Sequence, residues 1–361
     1  MRIAFAGGGT GGHLFPGLAV ADVARRDPRV QSIIFFGAER GIEARAVPAR
    51  GFEVILQPLT AVRGTGAAGA ARGVLHLLAA VGSARREIRR RRVDVLVGLG
   101  GYASAAAVIG ARLAGVPVVL LEQNRDPGFS TRVLSHLARA VCTSFEETAA
   151  ALPLGRARYT GNPVRPEIEA VKPAPDRDTL LIFGGSAGAV SLNRAVTAAL
   201  IRIAARRALP PILHQSGSRT LVDVKEAYAR AGIQADVREF IDDMAAAYSR
   251  AALAVCRAGA TTVAELCATG TPSVLVPYPY AAGDHQTANA RALMNAGAGL
   301  LVPDDEQTAG RLEEILSRLL GDPEALDSMA VRAASLGRSG AAERVLEIVL
   351  EVGTRRGART P

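Results

Sequence analysis

AFAGGGTGGHLFPGLAVA, residues 4–21, and TLLIFGGSAGAVSLN, residues 179–193, decide the fold. Each reads as an apolar strand, a glycine-rich turn and a helix, and each opens one half of the chain. Glycine suits such a turn because it tolerates positive φ and lets a ligand approach the backbone. In the first stretch Gly7, Gly9 and Gly12 satisfy G-x-G-x-x-G, the dinucleotide fingerprint. A nicotinamide cofactor would also want an acidic residue closing the second strand, to hold the ribose hydroxyls. That strand reads FFGAERG, with Gly37 at the terminal position and Glu39 further on, which weakens the dinucleotide reading.

Outward from these two stretches, short Val/Ile/Leu/Phe runs alternate with longer Ala/Arg/Leu/Glu segments, the pattern of parallel strands covered on both faces by helices. Strands are predicted at 2–6, 32–36, 53–56, 94–97, 117–121 and 140–142, then at 179–183, 212–215, 236–238, 253–256, 273–276 and 299–302. Between the halves, GNPVRPEIEAVKPAPDRD (161–178) has the proline and charge of a linker. A chain of 361 residues exceeds the usual size of one core. The expected class is therefore α/β: two Rossmann-like, doubly wound parallel-sheet domains with an interdomain cleft, divided into 1–162 and 163–341.

With 49% hydrophobic and 21% charged residues, the composition is that of a soluble globular protein. A net charge of +9 and a pI near 10.1 favour anionic partners such as phosphates or anionic lipid. Aromatics make up 4% with no Trp, leaving few platforms for stacking bases, so nucleic acid is not expected as a partner. Cys142, Cys256 and Cys267 are scattered and form no C-x-x-C pair, which fits buried thiols in a reducing compartment rather than disulfides or zinc. The N-terminus lacks the regions of a secretory signal, so a cytoplasmic location is expected.

In open parallel sheets ligands gather where loops leave the carboxyl ends of the strands and helices begin. The unusual polar stretches fall there: 7–13, GLGGYAS (98–104) and EQNRDPG (122–128) in the first half; GGSAGA (184–189), FIDDM (240–244), RAGATTVAE (257–265) and YPYAAGDHQTAN (278–289) in the second. One composite site between the domains is the expectation. Pro16 suits a first helical position, so the first helix is expected to start there with His13 just ahead of it, its ring kept neutral by the helix dipole and able to accept a proton. A histidine that merely packs against the loop would leave the same trace.

RAGATTVAE places small residues before a helix without acid in its first turn, leaving N–H groups for an anion, and Glu265 further in, where it can accept from sugar hydroxyls. An ordinary helix start with a solvated Glu reads alike. GGSAGA offers main-chain N–H groups and Ser186 to a second phosphate. Asp176-x-Asp178 resembles a metal-binding pair but precedes a strand, away from the cleft, so no protein-built metal site is expected. In GVLHLLAAVGSARREIRRRR (73–92), apolar residues precede six Arg within eight positions, which suits an anionic membrane surface or a core helix with a solvated basic face.

Taken together and in order, GGTGGHLFPGLAVA, LGLGGYAS, EQN, GNPVR, HQSG, EFIDDMAAAY, CRAGATTVAE and DHQTANA closely resemble the bacterial peptidoglycan glycosyltransferases that add N-acetylglucosamine to lipid I to make lipid II. The resemblance spans residues 8–291 and implies the GT-B fold, with a C-terminal helix near 342–352, within the segment 342–361, crossing back to the first domain. It also implies a membrane-associated hexosyltransferase on the inner face of the cytoplasmic membrane, with UDP-N-acetylglucosamine and undecaprenyl-linked lipid I as substrates. The anionic inner leaflet and other cell-wall synthesis proteins follow as partners, with no cofactor. Donor contacts carried over are Ser186 and the helix start at Gly259, Ala260, Thr261, Thr262 and Val263 for the diphosphate, Ile241 for uracil and Glu265 for ribose. Gln286, His285 and Asn124 would read the sugar, Arg165 would also meet the donor, and Thr10, Gly11 and Gly12 would face the acceptor's diphosphate.

The implied chemistry is direct displacement with inversion, with His13 as base and Glu122 as the other candidate. Two positions depart from the family pattern: Ala187 stands where Gln is frequent, and Leu121 stands where His often precedes EQN. The second removes a proton relay and raises the demand on His13. Within the same fold a UDP-N-acetylglucosamine 2-epimerase is the alternative, though it would need more acid/base residues than these motifs supply. A nicotinamide oxidoreductase has the first glycine motif alone in its favour.

Overall fold

A computed structural model describes residues 1–8, 10–39, 41–57, 66–185 and 188–357. Its strands in chain order are β1 (Arg2–Ala6), β2 (Ser32–Ala38), β3 (Glu53–Gln57), β4 (Val95–Gly98), β5 (Val118–Glu122), β6 (Ala140–Thr143), β7 (Ala157–Tyr159), β8 (Thr179–Phe183), β9 (Ile212–Gln215), β10 (Asp236–Arg238), β11 (Ala251–Cys256), β12 (Ser273–Leu275) and β13 (Gly299–Leu301). The helices are α1 (Gly11–Ala24), α2 (Glu43–Ala49), α3 (Gly66–Arg90), α4 (Tyr102–Leu113), α5 (Phe129–Leu134), α6 (Pro166–Glu169) and α7 (Val190–Ala204). They continue with α8 (Leu221–Arg230), α9 (Met244–Arg250), α10 (Ala260–Thr269), α11 (His285–Asn295), α12 (Thr308–Leu319), α13 (Pro323–Leu336) and α14 (Ala341–Gly357).

All pairings are parallel, in two sheets of order β3-β2-β1-β4-β5-β6-β7 and β10-β9-β8-β11-β12-β13. The chain divides into two compact units, Met1–Arg165 with Gly340–Pro361, and Pro166–Ser339. Strands buried on both faces explain the unbroken apolar runs: every residue of β5 and β8 is buried.

In the first unit one face of the sheet packs Phe5, Leu14, Phe35 and Val97, the other Ile34, Ile88, Val108 and Val118. α14 joins the first of these cores through Ala342, Val345, Leu346, Val349 and Leu350, the i, i+3, i+4, i+7, i+8 stripe of a helix with one apolar face. In the second unit Leu192, Val196 and Leu200 of α7 meet Leu312 and Leu316 of α12 beside β8 and β11.

Every strand expected from the sequence forms within two residues of its bounds. β7 was missed because Ala-Arg-Tyr carries no apolar run: it is an edge strand with Arg158 and Tyr159 exposed. β2 runs to Ala38, so Glu39 stands directly past its end, exposed, and the acidic residue is nearer the expected dinucleotide position than the pattern suggests. α1 corrects a second expectation. It starts at Gly11 with Thr10 as N-cap, and Pro16 lies inside the helix, where it cannot donate to the Gly12 carbonyl. Among the described residues no helix is long and apolar enough to cross a membrane.

Candidate functional site

In the first unit β1 and β4 end side by side, and a Cβ at Gly7 (φ 140°) would stand 2.9 Å from the Gly100 carbonyl oxygen, so the close approach of the two loops requires glycine. Gly8, Gly37 and Gly41 surround the fully buried side chain of Glu43, and a Cβ on any of them would collide with it. Glu43 Oε1 accepts the Ala38 N–H at 2.7 Å. The underside of the first glycine turn is thus filled by a carboxyl group from α2. Sequence reasoning missed this residue; the only local signal is a Glu close after Gly37 and Gly41 just past a strand, and Gly8 comes from another loop.

Above that turn, Thr10 is exposed and Gly11 is buried against Phe15, whose ring a Cβ would meet at 2.8 Å. His13 lies in the first turn of α1 rather than ahead of the helix, because the helix begins earlier than Pro16 suggested. Its Nδ1 lies 3.0 Å from Thr10 Oγ1. When Nδ1 carries the proton and donates to Thr10, Nε2 presents a lone pair, the form a base needs. The guanidinium of Arg165 sits 5.0 Å from the centroid of Phe15, on the same helix.

Glu122, the other candidate base, ends β5 with its carboxyl already engaged. Oε1 accepts from Asn124 N (2.9 Å) and Nδ2 (3.2 Å), and Oε2 from Gly128 N (3.1 Å). That pattern braces the 122–128 turn and orients the Asn124 amide. Gln123 donates to the Leu99 carbonyl at 3.1 Å, tying the same turn to the end of β4. Leu121 is buried in the core with Leu14, Leu99 and Cys142, so apolar packing replaces the histidine frequent at that position.

In the second unit the β8 turn carries Gly185 (φ 87°) and Gly188 (φ 71°), and a Cβ on Gly188 would meet the Ser216 carbonyl oxygen at 2.7 Å. Gln215 Nε2 donates to the Gly185 carbonyl at 3.0 Å. Behind it Asn193 Nδ2 donates to Ser216 O and Thr220 Oγ1, both at 2.7 Å, and the ring of His214 lies between Asn193 Oδ1 (3.2 Å) and Tyr228 OH (3.1 Å). Burial lowers the His214 pKa to about 3, so the ring is neutral. The HQSG motif therefore supports the turn from below. Ser186 and Ala187 lie outside the described residues.

α7 and α10 start alike, from Ala189 and Gly259, with no side-chain cap and no acid in the first turn. Such starts favour an anion. In α10, Ala260, Thr261 and Val263 are buried while Thr262 is partly exposed. Glu265 is buried rather than solvated and accepts from Tyr248 OH at 3.1 Å. Ile241 has its side chain buried, so a base could meet it through the main chain. Gln286 Oε1 accepts from Ala258 N (3.2 Å) and Tyr278 N (2.9 Å), which fixes the amide with Nε2 directed elsewhere. His285 opens α11 beside it, and its Nδ1 is buried with no hydrogen-bond partner among the described residues. Asp178 accepts from its neighbour Thr179 and faces Arg250 at 3.6 Å before β8, at the opposite edge from these turns. Among the described residues no cluster of His, Cys, Asp or Glu is placed to hold a metal ion.

Residues 3–143 match the glycosyltransferase family 28 N-terminal domain and residues 179–345 the family 28 C-terminal domain. The chain is 44% identical, over 98% of its length and 99% of the relative's, to the UDP-N-acetylglucosamine–N-acetylmuramyl-(pentapeptide) pyrophosphoryl-undecaprenol N-acetylglucosamine transferase of Syntrophotalea carbinolica. The crystal structure of Acinetobacter baumannii MurG matches with a TM-score of 0.77 and 32% identity, covering 97% of this chain and 99% of that one. A UDP-GlcNAc 2-epimerase from Neisseria meningitidis, bound to UDP-GlcNAc, shares the fold at a TM-score of 0.69 over 97% of this chain and 100% of that one, with 12% identity. That last likeness is one of fold alone. Similar over nearly its whole length to transferases of one name, the chain belongs to glycosyltransferase family 28 and, within it, to the UDP-N-acetylglucosamine–N-acetylmuramyl-(pentapeptide) pyrophosphoryl-undecaprenol N-acetylglucosamine transferases.

Proposed function

We propose that this hexosyltransferase moves N-acetylglucosamine from UDP-N-acetylglucosamine to the C4 hydroxyl of N-acetylmuramoyl-pentapeptide-pyrophosphoryl-undecaprenol, lipid I, forming lipid II. The full-length similarity to a transferase of that name carries the reading. The donor diphosphate rests against the starts of α7 and α10, with Ser186, Gly259, Ala260, Thr261, Thr262 and Val263. Uracil meets the main chain at Ile241, the ribose meets Glu265, and the sugar hydroxyls meet Gln286 Nε2, His285 and Asn124. Arg165 is a further donor contact, and Thr10, Gly11 and Gly12 face the acceptor.

In the transfer step the muramoyl O4 attacks the anomeric carbon from the β face while the bond to the β-phosphate oxygen breaks on the α face. Its electron pair leaves with UDP, and the hydroxyl proton passes to His13 Nε2, with the ring oriented by the contact between Nδ1 and Thr10 Oγ1. Main-chain N–H groups and the helix dipoles stabilise the departing charge by up to about 2 kcal/mol in a partly buried geometry. The epimerase alternative is not favoured, since its likeness stops at the fold.

Along α3, Leu75, Leu78, Gly82, Arg85, Arg86 and Arg89 recur at i, i+3, i+7, i+10, i+11 and i+14, and all are exposed. The opposite face buries Ala80, Val81, Ala84 and Ile88. Arg90 and Arg91 are engaged by Glu87 and Glu53. An apolar end continued by cations supports adsorption to the anionic inner leaflet, which would make the enzyme peripheral on the cytoplasmic face. Reversing Arg85, Arg86 and Arg89 to Glu should weaken sedimentation with anionic vesicles; unchanged partitioning would remove α3 from this role.

The enzymatic test is incubation with UDP-[sugar-labelled] N-acetylglucosamine and a short-chain lipid I analogue. Label should appear in the acceptor, whereas UDP release without acceptor, or no transfer by folded protein, would contradict the assignment.

A further inference from the structure

Arg257 follows β11 directly, two residues before the Gly259 cap of α10, and is buried. Its Nη1 donates to the carbonyl oxygens of Val276 (2.9 Å) and Pro277 (3.1 Å), just past β12. Its Nη2 donates to Ser191 Oγ (2.8 Å), at the second residue of α7, and lies 2.8 Å from Asp304 Oδ2, in the loop after β13. Ser191 Oγ in turn donates to Asp304 Oδ2 at 2.7 Å. Arg257 and Asp304 are each 7% exposed at the side chain. One guanidinium thus joins the ends of β11, β12 and β13 to the start of α7. A buried ion pair is weak evidence for stability, since well-packed apolar residues often do as well. What an apolar replacement cannot supply is a planar fork that fixes several acceptors at once.

We infer that Arg257, Asp304 and Ser191 form a positioning clamp that sets the start of α7 against the start of α10, and so spaces the two sets of N–H groups for the donor's diphosphate. The inference rests on the reading that the donor diphosphate lies at these helix starts. Both Nη atoms are committed within the protein, so Arg257 acts through the backbone it holds.

The test compares wild type with Ser191→Ala, Asp304→Asn and Arg257→Lys, reading UDP affinity by calorimetry, KM and kcat for UDP-N-acetylglucosamine, and Tm. Ser191→Ala keeps the ion pair and should fold with a near-normal Tm while binding UDP several-fold more weakly. Asp304→Asn should raise KM for the donor by about 10- to 100-fold, the scale of an ångström-level misplacement, with kcat changed less. Arg257→Lys should not restore affinity, because an ammonium cannot serve the same acceptors in one plane. Wild-type UDP affinity in folded Ser191→Ala and Asp304→Asn, or full affinity in Arg257→Lys, would overturn the clamp. If Asp304→Asn does not fold, Ser191→Ala decides alone. Wild-type protein that binds UDP but transfers no sugar would count against the proposed reaction and not against the clamp, which UDP binding still tests.

Discussion

The two strand–turn–helix modules look alike in sequence and differ in what supports them. Beneath the first turn lies the buried carboxyl of Glu43, and the helix that follows carries His13 in its first turn. Beneath the second lie neutral donors, Gln215 and Asn193, while the helices that follow the two turns both start without a side-chain cap or an acid in the first turn. Uncapped helix starts favour a phosphate in either module, and a buried carboxyl below the turn disfavours one, so the floor is what differs. The glycines therefore mark loop geometry in both modules, and we propose that the residues below separate a turn serving proton transfer from one serving an anion.

The sharpest way to break this comparison is His13→Ala, which should lower kcat by about 10²- to 10⁴-fold and leave UDP affinity unchanged. Near-normal turnover would take the base out of the first module. Next in size is Glu122→Gln, which sets an NH₂ or a weaker acceptor against the donors of Asn124 and Gly128. It should cost about tenfold in kcat/KM through misplacement of Asn124, with the acid limb of the kcat–pH profile retained. Loss of that limb would restore Glu122 as the base.

A smaller effect concerns the floor of the second turn. The folded pKa of His214, about 3, lies below the ordinary 6.5, so the unfolded chain takes up the proton first. Its contribution to stability is full above pH 6.5 and is lost as pH falls toward 3, by up to about 1.4 kcal/mol per pH unit. Urea unfolding of His214→Gln across that range should show a flatter pH dependence than wild type, and an equal slope would mean that other groups carry it.

The strands were legible because burial on both faces writes itself as apolar runs, and the loops at their carboxyl ends because polar residues there interrupt the pattern. β7 escaped because an edge strand has no such run, and the start of α1 was misplaced because Pro16 tolerates a position inside the helix. The roles of Glu43, Glu122 and Gln286 were hidden for another reason. Each accepts main-chain N–H groups at a strand end, turn or loop, and which hydrogen bonds a side chain completes depends on tertiary geometry that spacing does not encode. Arg257 stood in a quoted motif, yet its partners Ser191 and Asp304 lie 66 residues before it and 47 after it in the numbering.

The most direct measurement is the amide chemical-shift response of the protein to titrated UDP. The largest changes should fall at Gly185, Gly188, Gly259, Ala260 and Thr262, with Gly7, Gly8 and Gly12 little moved. A response centred on Gly7, Gly8 and Gly12 instead would contradict the division of labour between the two turns.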